Sequence, residues 1–231
     1  MPQFSKKMCG RYQLSVTGKQ ISERYNVEVY DEMYSPSYNC APYQYLPVIT
    51  NENQGKISFM RWGLLPSWSE NNKSAIKLIN ARGETLGEKP LFKQAFEKRR
   101  CIIPANGFYE WKRGKYRTPY RFYLKNEKIF SIAGIWERRK NRNGDISETF
   151  LIITTAPNEL IKPVHNRMPL ILNREAEKIW VSEKDTIILK ELIKPYPANE
   201  MSGYEISNRI NSVRSEGEVL IKPAGEQGKL F

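Results

Sequence analysis

An α+β fold, a curved and barrel-like antiparallel β-sheet core with peripheral helices, is what the sequence predicts, on three observations. Six β-rich runs dominate the chain, and the last three follow one another across short polar spacers. Helical periodicity is confined to four short windows. No regular strand–helix–strand alternation runs through the chain, as a doubly wound parallel sheet would require. In order, a helix fits 17–25, and "LPVIT" (46–50) and "KISFMRW" (56–62) read as strands. A second helix fits 88–99, where Leu91, Phe92, Ala95 and Phe96 share a face. Strands follow at "GFYEWK" (107–112), "YRFYLK" (120–125), "FSIAGIWE" (130–137) and "TFLIITTA" (149–156). The spacer "RRKNRNGD" carries Asn-Gly chemistry suited to a hairpin, and "KNEK" is equally short. Helices at 174–181 and 184–193 complete the set. No repeat, low-complexity segment or linker interrupts the chain, so 9–223 is expected to be a single domain, with 1–8 a leader and 224–231 a C-terminal tail.

Charge narrows the function. The 231 residues carry 37 Lys and Arg against 25 Asp and Glu, a formal net charge of +12. Such an excess favours a polyanionic partner, nucleic acid before a membrane surface, because no basic amphipathic helix stands out. Basic residues gather in "EKRR" (97–100), "KRGKYR" (112–117) and "ERRKNR" (137–142), with Tyr109, Trp111, Tyr116, Tyr120 and Trp136 close by. Positive charge beside stacking rings suits a single strand. A solvated hairpin tip is the plainer reading of the third cluster.

Other classes fall away. No apolar run approaches the roughly 20 residues of a membrane span, and "MPQFSKK" lacks the apolar stretch of a secretory signal. A cytoplasmic monomer is expected, nucleoid-associated in a bacterium. Three cysteines without CxxC spacing and a single histidine make a zinc site or a disulfide scaffold a poor reading, so no metal or cofactor is expected.

Four residues invite chemistry. Cys9 follows Met8 in "MCGRY", either a chance pair or the mark of a second start or a cut that makes Cys9 the first residue. His165, between Pro163 and Pro169, is either a structural hydrogen-bonder or an acid–base group that titrates near neutrality. Glu110, flanked by Tyr109 and Trp111, is either an exposed strand residue paired with Lys112 or an acid whose pKa its aromatic neighbours raise. Asn80 in "LINARGET" reads as a turn or cap unless a spatial partner makes it catalytic.

These segments also occur together and in order. "MCGRY", "YNCAP" (38–42), "RWGLLPSW" (61–68), "INARGET" (79–85), "IIPANGFYEW" (102–111), "ITTAPN" (153–158), "VHNRMPLIL" (164–172) and "ISNRINSVRSEGEVLIKP" (206–223) resemble the SRAP, or SOS response-associated peptidase, family, which contains the abasic-site processing proteins. The resemblance runs from about Met8 to Pro223. It implies an abasic-site sensor on single-stranded DNA that forms a covalent thiazolidine through an N-terminal cysteine, here Cys9, with Asn80, Glu110 and His165 as the other active-site residues. Glu110 would open the sugar hemiacetal, Asn80 would orient the amine or sugar, and His165 would place the sugar-phosphate or shuttle a proton. A basic pocket would help deprotonate the Cys9 amine and thiol. Arg11, Arg82 and Arg167 resemble phosphate-binding arginines, and Trp68 and Pro42 a wedge in the base stack with Asn39 nearby. Trp62, Cys40 and Cys101 read as core residues, and Thr154 and Thr155 as supporting hydrogen-bonders or plain strand residues.

The chemistry requires an α-amine and a thiol on one residue, so the residues before Cys9 must be absent or removed. Initiation at Met8 followed by methionine removal is favoured over self-cleavage or a persistent leader. Two alternatives carry different demands: a self-processing cysteine peptidase, using Cys9, His165 and Asn80, and a single-strand binding module without chemistry. A weaker β-lyase activity through the Schiff base would accompany the thiazolidine reading.

Overall fold

The computed structural model describes residues 9–30, 32–64, 78–114, 116–140 and 144–225. Along the chain the elements are β1 (Tyr12–Leu14), α1 (Gly18–Tyr25), β2 (Ser37–Cys40), β3 (Tyr45–Thr50), β4 (Ser58–Trp62), β5 (Asn80–Arg82), α2 (Pro90–Lys98), β6 (Arg100–Ala105), β7 (Gly107–Lys112) and β8 (Thr118–Leu124). The second half supplies β9 (Phe130–Lys140), β10 (Ile146–Thr155), β11 (Met168–Pro169), β12 (Ile171–Leu172), α3 (Arg174–Ser182), α4 (Thr186–Glu191) and β13 (Met201–Glu205).

Local chemistry sets the helix ends. Thr17 and Gln20 form a reciprocal capping box at α1, Pro90 opens α2 where its missing N–H costs nothing, and Asn173 and Asp185 cap α3 and α4. The apolar stripe of α2 is narrower than its periodicity predicts: Phe92, Ala95 and Phe96 are buried, and Leu91 faces outward.

Five strands close on themselves. β4 pairs with β3, β3 with β6, β6 with β9 and β9 with β10, all antiparallel, and β10 returns to β4 in parallel. The antiparallel expectation thus holds for every step of the barrel except the closing one, and closure removes the open edges. β9 and β10 are half buried and half projecting: Phe130–Trp136 and Phe150–Thr155 are buried, while their mutual pairing continues to Lys140 and Ile146 beyond the barrel. That explains an apolar run fused to a charged one. Trp62 fills the interior against Phe150 and Tyr12, the packing role predicted for it.

A second, antiparallel sheet runs β13-β8-β7-β1-β2. "KNEK" is therefore no hairpin: β8 lies in this sheet and β9 in the barrel, so the spacer carries the chain between layers. Short strands tie the layers into one site. β5 lies parallel to β10, with Asn80 opposite Ile152 and Arg82 opposite Thr154, and β11 pairs with the same end of β10. β1 lies between β7 and β2, which brings the stretch just before Tyr12 to the mouth between the sheets.

The basic cluster at 97–100 belongs to this architecture. Arg100 is buried and donates to the carbonyls of Phe96, Glu97, Trp180 and Glu183, and Arg99 pairs with Glu137. Those guanidiniums staple α2 and α3 to the barrel rather than face a ligand. The barrel is also tight where β6, β9 and β10 meet: a Cβ on Gly134 would stand 2.7 Å from both Cys101 Sγ and Ile103 Cδ1 and 3.0 Å from the Leu151 carbonyl oxygen. Gly134→Ala is expected to lower stability by about 1–3 kcal/mol, read as a reduced midpoint in chemical denaturation with an unchanged slope.

Candidate active site

The site lies where β1, β5, β7 and the turn before β11 converge. Cys9 is only 3 % exposed, and each side of its backbone is gripped. Its main-chain nitrogen donates to Glu110 Oε1 at 2.9 Å, and its carbonyl oxygen accepts from Asn80 Nδ2 at 3.2 Å. Between these contacts Cys9 adopts a φ of 26°, in the left-handed region that a residue with a β-carbon seldom enters. Such a conformation costs on the order of 1–3 kcal/mol and persists because the surroundings over-determine it.

Glu110 is 2 % exposed, so the reading as a surface glutamate paired with Lys112 gives way to the buried one. Burial pushes its carboxyl up to about 7, with hydrogen bonds from Cys9 and the Trp111 main chain pulling the other way. His165 Nδ1 approaches Glu110 Oε2 at 3.6 Å. Burial lowers the imidazole pKa, helped by the positive charges of Arg113, Arg117 and Arg167. Burial disfavours the charged form of both groups, which weakens an ion pair between them. His165 itself is oriented by Arg167, whose main-chain N and O lie 3.2 and 3.1 Å from Nδ1.

The Cys9 thiol does not keep the readily titrated value expected of a cysteine, about 8.5. Burial and the neighbouring Glu110 push the thiol well above its ordinary value, and Arg167 opposes them only weakly. The resting sulfur is a thiol, and its nearest titratable neighbour is an acid. A nucleophile–base–orienter row is not formed either: His165 faces Glu110 and the Arg167 backbone, and Asn80 Nδ2 bonds the Cys9 carbonyl.

The remaining candidates divide. Arg11 Nη1 donates to Asn39 Oδ1 at 3.0 Å and to the Ile210 carbonyl at 2.8 Å, and it is half-buried. Asn39 is fully buried and donates to the carbonyls of Ser212 and Ser215, so it anchors the segment after β13 rather than presenting its amide to solvent. Arg82 is exposed at the end of β5, and Pro42 is partly exposed in the turn after β2. Trp68 lies outside the described residues. Arg167 is held by Glu84 through both terminal nitrogens at 2.7 Å and by the Thr154 carbonyl at 2.6 Å. Glu84 was invisible to sequence reasoning, since nothing in "INARGET" distinguishes it from a solvated turn acid. Among the described residues no group of three His, Cys, Asp or Glu could hold a metal ion, and no helix is long and apolar enough to cross a membrane.

The family model described as SOS response associated peptidase (SRAP) matches residues 8–213. The chain belongs to the SRAP family. It is 41 % identical to the abasic site processing protein YoqW of Bacillus subtilis over 93 % of this chain and 99 % of that one. It is 30 % identical to the abasic site processing protein YedK of Escherichia coli over 94 % and 100 %. A crystal structure of a Bacteroides thetaiotaomicron protein superposes with a TM-score of 0.83 at 30 % identity, covering 94 % of this chain and all of that one.

The perturbed carboxyl has a cost in stability. Its folded pKa of about 7 lies above the ordinary 4.5, so the fold favours the protonated form: the stability is fully present below about 4.5 and is lost as pH rises through 7. Glu110→Gln mimics the protonated state. At pH 8 the variant is expected to be more stable than the parent by on the order of 3 kcal/mol, with the difference closing below pH 4.5 in parallel thermal melts.

Proposed function

We propose that this SRAP-family chain processes abasic sites in single-stranded DNA by forming a covalent thiazolidine through Cys9. The carrying observation is the 2.9 Å contact between the Cys9 nitrogen and a buried carboxyl that titrates near 7. The family membership and the names of the relatives support the substrate; the contact supports the chemistry.

Once the bond before Cys9 is cut, the nitrogen that donates to Glu110 is an α-amine. A carboxylate at that position takes a proton from the ammonium and leaves the amine nucleophilic, and the protonated carboxyl then serves as the acid that opens the sugar hemiacetal. The amine adds to the freed aldehyde and water leaves, giving an imine. The Cys9 sulfur attacks the imine carbon as its proton passes to nitrogen, closing a five-membered ring. The balance is protein plus DNA less one water. A high thiol pKa is tolerable here because the amine attacks first, and the sulfur need lose its proton only as the ring closes. Asn80 fixes the Cys9 carbonyl and so the direction of its amine. His165, neutral near pH 7, lies against Glu110, where it relays protons or accepts a sugar hydroxyl. Arg82 and Arg167 would meet phosphates. Arg11 and Asn39 would act at one remove, by holding the segment around 210–215 beside the site. Schiff-base lyase activity follows if the imine outlives ring closure.

The test is incubation of a chain beginning at Cys9 with single-stranded DNA carrying one abasic site, followed by denaturing electrophoresis and mass measurement. A heat-stable adduct with the mass of protein plus DNA less one water is expected, lost in Cys9→Ala and after acetylation of the α-amine. An equal adduct from either control contradicts the reading.

A further inference from the structure

Resting on that function, the inference concerns what Arg167 does before DNA arrives. Its side chain is only 13 % exposed, and the guanidinium is held by the two Glu84 oxygens at 2.7 Å each and by Thr154, through its carbonyl at 2.6 Å and its hydroxyl at 3.4 Å. These acceptors are not equivalent. Thr154 is a buried residue of β10, the strand shared by the barrel closure, β5 and β11, so its carbonyl fixes the guanidinium as part of the scaffold. Glu84 is 47 % exposed, on a single helical turn (Gly83–Thr85) just after β5, and it takes the two terminal nitrogens that would receive a phosphate. Exposed Arg82 stands two residues away and adds its charge to the field around the same carboxylate. A carboxylate bidentate on one arginine and near a second has the geometry of a bound phosphate.

We propose that Glu84 is a built-in anionic place-holder for the DNA phosphate at Arg167, displaced when a strand binds, and that it sets a penalty on every phosphate that enters. Glu84 touches neither sugar nor base; it acts through Arg167. The penalty falls on lesion-free and abasic strands alike, but only an abasic strand recovers it through a covalent step. Glu84 therefore shortens residence on undamaged DNA while leaving capture of the lesion possible.

The experiment is titration of a lesion-free single-stranded oligonucleotide, read by fluorescence anisotropy, with the parent, Glu84→Ala, Glu84→Gln, Arg167→Ala and Arg167→Ala combined with each Glu84 variant. Adduct yield of the parent on abasic DNA is measured alongside. Removing the carboxylate is expected to tighten binding about 3- to 10-fold, as for a charged bidentate pair partly exposed to solvent. The gain is expected to vanish in the Arg167→Ala background. A general loss of negative charge would instead tighten binding equally in both backgrounds, and that result overturns the proposal. Equal or weaker binding by Glu84→Ala and Glu84→Gln also overturns it, because it would make Glu84 a support for Arg167 rather than a competitor. A parent chain beginning at Cys9 that binds DNA but yields no adduct defeats the functional reading instead, which separates the two failures.

Discussion

The hydrogen bond from the Cys9 nitrogen to buried Glu110 is the contact on which the rest of the site depends. It asks the fold to bury a carboxyl, which is expensive, and to bend Cys9 into a φ of 26°. The two-layer architecture makes both feasible. β7 presents Glu110 from the second sheet, β5 and β11 hang Asn80 and the His165 turn from one end of β10, and β1, paired with β7, carries Cys9 to Glu110. Burial then does the chemical work by moving the carboxyl to about 7, where it exchanges protons at physiological pH.

Polar groups around this contact are arranged in tiers. Asn80 touches Cys9 directly, and the Arg167 backbone orients His165. Farther out, Arg11 and Asn39 clamp the segment after β13, where Trp111 Nε1 also bonds Asn211 at 2.8 Å. Asn39 is closed to solvent and bonds Arg11 and the carbonyls of Ser212 and Ser215.

Much of this was legible before the structure. Long apolar runs identified β9 and β10 because burial on both faces leaves a continuous signal, and apolar periodicity marked α2. β1, β5, β11 and β12 were not legible: strands of two or three residues carry no periodicity, and their partners lie far away in sequence. The "KNEK" connection misled because loop length reports a hairpin only when both strands share a sheet. The site residues were recognisable by motif, but their electrostatics were not. Clusters at 97–100 and 112–117 look alike as strings, yet Arg100 is spent on carbonyls, while Arg113 and Arg117 are near enough to bias His165. The raised thiol was not legible because its main cause is burial, which the residues around Cys9 in the sequence do not report.

The central claim is that Glu110 is a buried acid that titrates near neutrality. Its carboxyl can be followed directly in the full 231-residue chain by isotope-edited infrared or carbon NMR across pH 3 to 10, with Glu110→Gln identifying the signal. A midpoint close to 7 is the predicted result. A midpoint near the ordinary glutamate value would mean that the carboxyl is charged throughout the working range, and it would contradict the acid–base role assigned to it.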